Sequence, residues 1–256
     1  MKPEFSEFSY GFAVTSELDQ WLGNDLIAAP VFPSLRQERD LGWDVNLRMA
    51  GVSVFLQFKL ADLLTKPTAS EWRFYGAPYY RFQLHRALRS RQHNLLKRLA
   101  EANRYVHYVA PRFTRVPEFD FYYRQSRVVS ESAWVAIARL PWVSDAYQHH
   151  ITYRTGRDLR FSSPESEPLD QDLSGESWIN QLISSWETEH SLPDRAYFER
   201  VRAMLVKVLS ESPWNLSWQV NWPAAMESGH HVLKEITYLC RTFFGVEMVL
   251  IGRRLP

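Results

Sequence analysis

Residues 42–59 constrain this chain more than any other stretch. Gly42-Trp43-Asp44 opens it, Phe55-Leu56-Gln57-Phe58-Lys59 closes it, and a short Arg48–Val52 segment containing Gly51 lies between. Val45, Leu47, Val54, Leu56 and Phe58 alternate with other residues on both sides of that segment, the period of two strands joined as a hairpin. A tight connection at 49–52 would set Asp44 opposite Gln57. Gln57 and Lys59, two positions apart, share one face. One acid, one amide and one lysine then converge. Side chains of this kind on an otherwise Val, Phe and Leu strand call for partners, because an unpaired polar group is costly to bury.

This constellation resembles the PD-(D/E)XK, or restriction-endonuclease-like, nuclease superfamily, in the variant where Gln replaces the acid of the last triplet. The resemblance spans roughly residues 10–115. It implies an α/β (α+β) fold, a mixed central sheet flanked by helices, with a more helical C-terminal region. It also implies a metal-dependent nuclease that hydrolyses phosphodiester bonds in DNA, with Asp44 and Gln57 as metal ligands and Lys59 as the catalytic lysine. The acid often carried by the first core helix has a candidate in Glu17, within Thr15-Ser16-Glu17-Leu18. The order that follows also fits: residues 91–103 read as a helix and 105–110 as the strand after it. Mg²⁺ or Mn²⁺ needs oxygen ligands of net negative charge. Asp44 and the neutral Gln57 supply too little, so Glu17 and Glu38, with Asp40 beside Glu38, are the further carboxylates to expect.

The formal charge of +1 conceals an asymmetry. Residues 86–127 hold ten Lys or Arg against three acids, whereas 161–194 hold eight acids and no Lys or Arg. The first region attracts phosphate and the second repels it. Arg86, Arg89, Arg91, Lys97 and Arg98 are accordingly the expected contacts to a nucleic-acid backbone, DNA before RNA. The nuclease reading also suggests a homodimer or a partner protein in a bacterial or mobile-element defence setting. With no long apolar run and no signal-like N-terminus, neither a membrane span nor a secretory leader is expected, and a cytoplasmic location follows. The alternative is a catalytically silent nuclease-like fold that binds nucleic acid or a partner protein, with Gln57 a trace of lost metal binding.

At 256 residues and 45% apolar, the chain can form one large core or a core with an appended region. The reading divides it into a nuclease-like core at 1–127 and a mixed, mainly helical region at 128–256, packed on the core or continuous with it. Tyr80, Phe82 and Leu84 mark a strand, 117–127 a short helix and 148–154 another strand. The Ser, Pro and acid-rich stretch 162–176 is the best linker candidate. Trp178, Leu182, Ile183 and Trp186 mark one amphipathic helix; Phe198, Val201, Leu205, Val208 and Leu209 mark a second. A third covers about 230–243, and a strand through Val246, Met248 and Leu250 closes the chain. Cys240, the one cysteine, excludes a disulfide within the chain and reads as a buried thiol. The pairs His149-His150 and His230-His231 lack metal-ligand spacing. Trp214, Trp218 and Trp222 read as core before stacking platform. Walker, Rossmann and Gly-x-Ser-x-Gly signatures are all missing, which removes support for ATPase, dehydrogenase and serine hydrolase activities.

Overall fold

The computed structural model describes residues 1–22, 49–84, 92–154, 158–163, 165–171, 174–186, 195–212 and 232–254. Nine strands in them form two sheets. In the first, β5 (Ser132–Ala136), β4 (Val106–Pro111), β1 (Met49–Phe58) and β9 (Glu247–Arg254) lie in the order β5-β4-β1-β9. The second, β2 (Asp62–Leu64), β3 (Tyr79–Gln83), β6 (His150–Tyr153), β7 (Asp158–Ser163) and β8 (Glu165–Asp170), is antiparallel throughout in chain order. The class is mixed α/β. No helix among the described residues is long and apolar enough to cross a membrane.

Strand β1 runs unbroken through residues 49–52, where the alternation pattern suggested a turn, and this corrects the expected hairpin. Its partners are β9, antiparallel from Met49↔Arg254 to Leu56↔Glu247, and β4, parallel from Phe55↔Val106 to Phe58↔Val109. Gly51 is not a turn glycine: it stands opposite Gly252 inside the ladder. The strand instead separates two helical layers. Val54, Leu56 and Phe58 face one apolar cluster with Tyr10, Val14 and Leu18 of α1 (Glu7–Leu22) and Trp178, Ile179 and Leu182 of α5 (Gly175–Trp186). Phe55 faces the other, with Leu95, Leu96 and Leu99 of α3 (Gln92–Ala102), α6 (Arg195–Ser210) and α7 (Val232–Leu239). On α6 the five buried residues are Phe198, Val201, Leu205, Val208 and Leu209, the stripe its periodicity predicts.

The second sheet is fastened to the C-terminal end of β4. Tyr153 donates its hydroxyl to the Pro111 carbonyl at 2.7 Å, and Tyr80 donates to that of Arg112. The expected linker at 162–176 is largely the β7–β8 hairpin and the start of α5, a second correction. Its composition suits that place, because β8 is the last strand of its sheet among the described residues: Pro168 can forgo an N–H there, and acids discourage further pairing. Each sheet draws strands from both sides of residue 127, so the two regions of the chain share their hydrogen-bonded ladders.

Gly175, the first residue of α5, is fixed by close packing. A Cβ there would lie 2.6 Å from the Val129 carbonyl oxygen and 2.6 Å from Trp134 Nε1. Those two atoms form a 3.2 Å hydrogen bond with each other, and the Trp134 and Trp178 rings stack 4.3 Å apart. Gly175→Ala is therefore expected to destabilise the protein by about 1–3 kcal/mol, read as a lower denaturation midpoint. An unchanged midpoint would show that this corner yields without strain.

Candidate functional site

Gln57 and Lys59 leave β1 at its C-terminal end on the Phe55 face. Gln57 is buried; its Nε2 donates to the Gly245 carbonyl at 3.1 Å, and its Oε1 has no hydrogen-bond partner among the described residues. Gly245 ends a π-helical turn, Cys240–Phe244, with φ of 62°, a conformation glycine adopts at little cost. A Cβ at Gly245 would lie 1.8 Å from Gln92 Nε2 and 3.3 Å from Gln57 Nε2. Two glutamine amides from β1 and α3 thus approach one bare backbone position.

Lys59 extends the parallel ladder, its amide donating to the Val109 carbonyl at 2.9 Å. Its Nζ stands 6.0 Å from the centroid of the Tyr108 ring. Burial pushes the ammonium below its usual pKa, and the charge of Glu7 in the first turn of α1 partly restores it. Burial in turn raises the Glu7 carboxyl, opposed by Lys59. Beneath Lys59, His93 bridges Tyr108 and the Pro141 carbonyl. Its Nε2 lies 2.9 Å from that oxygen and must carry the proton, so Nδ1 accepts from the Tyr108 hydroxyl at 3.0 Å. Burial lowers His93 to about 4, which keeps the ring neutral near pH 7.

The structure brings Gln57 and Lys59 together and places Glu17 elsewhere. Glu17 lies in α1 on the inward stripe with Ala13, and its Oε2 accepts the backbone N–H groups of Val128 at 2.6 Å and Val129 at 3.1 Å. Those partners belong to the cluster under Val54, Leu56 and Phe58, across the sheet from Gln57. Glu17 Oε2 therefore ties α1 to the segment after α4 (Val116–Arg124), while its Oε1 is buried without a hydrogen-bond partner among the described residues. Burial raises its carboxyl and the two N–H groups lower it. The acid on α1 that senses Lys59 is Glu7, which sequence reading missed because an acid in a first helical turn also suits the helix dipole.

Asp44, Glu38 and Asp40 lie outside the described residues, as do Arg86, Arg89, Arg91, His230-His231 and the three tryptophans at 214, 218 and 222. Of the expected phosphate contacts, Lys97 donates to the Ala138 carbonyl at 2.6 Å, and both Lys97 and Arg98 flank the Trp142 ring, at 6.0 and 5.5 Å from its centroid. His149 holds Asp145 at 2.8 Å through Nε2. Cys240 is buried. Among the described residues, no group of three or more His, Cys, Asp and Glu side chains could hold a metal ion. Comparison with protein-family models, with curated proteins and with solved structures finds no match to this chain.

Proposed function

We propose that the chain is a metal-dependent nuclease that hydrolyses phosphodiester bonds in DNA on a restriction-endonuclease-like sheet. One observation carries the reading: Gln57 and Lys59 share a face at the C-terminal end of an interior strand that runs parallel to β4 and antiparallel to β9, with the Gln57 oxygen buried and without a partner among the described residues. Open α/β sheets bind ligands beyond the carboxyl ends of their strands, and a buried unpaired oxygen is expensive unless something donates to it or coordinates it. A hard cation such as Mg²⁺ or Mn²⁺ suits that oxygen. The hairpin that would set Asp44 opposite Gln57 is replaced by an unbroken β1, so Asp44, like Glu38, is a candidate carboxylate on the resemblance alone. The bound metal would lower the pKa of a water and neutralise charge building on the phosphate.

The residues of the chain divide the remaining work. Gln57, braced by Gly245, holds one oxygen at a fixed position. Lys59 presents a single positive charge on the same face, suited to orienting the attacking water or a phosphate oxygen. Glu7, in the first turn of α1, favours the charged form of that ammonium against its burial. Cutting both strands of a duplex calls for two such sites, which suits a homodimer or a defence partner protein.

Calorimetric titration of Mn²⁺ and Mg²⁺ into the wild type, Gln57→Glu and Gln57→Ala tests the assignment. Adding a charge should tighten binding and removing the oxygen should weaken it, each by about tenfold, a difference of 1.4 kcal/mol. Equal affinities in all three proteins would remove Gln57 from the metal site. A second reading, the silent fold that binds nucleic acid or a partner, is favoured by Glu17 Oε2 accepting from Val128 and Val129 on the face of β1 away from Gln57. It predicts nucleic-acid or partner binding without cleavage and no metal response in Gln57→Glu.

A further inference from the structure

Trp142 is 44% exposed, yet the residues around it are held firmly. Leu140 and Val143 are buried on either side. The backbone is clamped by α3: His93 donates to the Pro141 carbonyl at 2.9 Å, Asn94 Nδ2 donates to the Val143 carbonyl at 2.6 Å, and the Val143 amide donates back to Asn94 Oδ1 at 3.1 Å. Three hydrogen bonds thus fix the segment while its indole stands out. Over the ring stand two cations from the same helix, Lys97 and Arg98, 6.0 and 5.5 Å from its centroid, with Glu101 the acid that acts on Lys97. Lys97 is further anchored on the Ala138 carbonyl.

A pre-ordered aromatic ring beside two cations is the arrangement that takes a nucleobase on its face and phosphates on its flank. Bases inside a duplex are already stacked and cannot offer a face. We infer that Trp142, Lys97 and Arg98 form a platform for single-stranded nucleic acid, the indole stacking one base and the two cations holding the adjoining phosphates. The start of α3 touches the Gln57–Gly245 corner through Gln92, and Lys97 and Arg98 follow five and six residues on, roughly 8–9 Å along the helix. The platform and that corner are thus built on the same helix. Single-strand stacking names the form of the substrate and, in that respect, rests on the proposed nuclease reading.

Fluorescence anisotropy with labelled oligothymidylate and a duplex of equal length, in EDTA so that nothing is cleaved, tests the platform. The wild type should bind the single strand more tightly. Trp142→Ala should weaken that binding about tenfold and Trp142→Phe should recover most of it. Lys97→Glu with Arg98→Glu should also weaken it and flatten its dependence on salt, all with unchanged circular dichroism. Duplex preference, or single-strand binding untouched by Trp142→Ala, overturns the inference. Loss only in the charge-reversed protein would do so as well, pointing to phosphates or an acidic partner without base stacking. Cleavage assayed separately in Mg²⁺ keeps the two readings apart: cutting without Trp142-dependent binding sinks the platform alone, and Trp142-dependent binding without cutting sinks the nuclease alone.

Discussion

Acidification from pH 7 toward pH 4 is expected to destabilise this protein steeply, with His93 and His107 carrying much of the loss. Both are buried, and burial holds each at about 4 in the folded state. His93 is locked between Tyr108 and Pro141, and His107 meets the edge of the Trp178 ring at 5.7 Å. An unfolded histidine titrates near 6.5, so between that value and 4 the unfolded chain binds more protons. The stability each ring contributes is then complete above 6.5 and is lost as pH falls, by about 3 kcal/mol per histidine. Glu17 works in the other direction, because its folded carboxyl is raised: its contribution is present below the unfolded value of 4.5 and lost as pH rises through the folded one. It softens the fall at the acid end. Denaturant melts across this range should show His93→Gln and His107→Phe less sensitive to pH than the wild type. Identical slopes in all three proteins would assign the acid lability to other groups.

Lys59→Met should remove activity while leaving the fold at least as stable as before. Its ammonium is held below its normal pKa by burial, which means that the folded protein bears a charge it solvates poorly. Neither a hydrogen bond nor an ion pair to its Nζ occurs among the described residues, so an apolar side chain of similar length relieves that burial and gives up only the longer-range attraction to Glu7. Catalysis has the opposite dependence. Loss of one positioned electrostatic group in a desolvated site lowers the rate by about 10²–10³. Stability bought at the expense of function marks a group kept for chemistry. A variant that melts markedly lower, or that cuts as well as the wild type, would make Lys59 a structural residue.

The elements legible in the sequence are those whose signal is local. The α6 stripe needs only the positions of five apolar residues within one helix, and the β3, α3, β4 and α4 segments likewise carry their own periodicity and punctuation. The pairing of β1 with β9 joins residues about two hundred positions apart, and nothing near Gly51 announces that its neighbour is Gly252. Glycine between apolar runs signals a turn more readily than a place inside a ladder, which is why the hairpin was expected. The shared face of Gln57 and Lys59 follows from the two-residue period alone. Their surroundings do not: Gly245, Gln92 and Glu7 arrive from other elements. The spacing of Glu17 from Ala13 places it on the buried stripe of α1, but that its Oε2 meets Val128 and Val129 is set by the chain returning there from far along the sequence. Trp142 gave no signal, since its meaning depends on a clamp from α3 and on two cations drawn beside it by the fold.

The claim that Gln57 and Lys59 form a metal-dependent phosphodiesterase site is tested most directly by incubating purified protein with supercoiled plasmid and with single-stranded DNA, in Mg²⁺, in Mn²⁺ and in EDTA, alongside Lys59→Ala. The account predicts metal-dependent cleavage by the wild type, none in EDTA, and a loss of about 10²–10³ in the variant. Intact DNA under every condition, or cleavage that proceeds equally in EDTA or with Lys59→Ala, would contradict it.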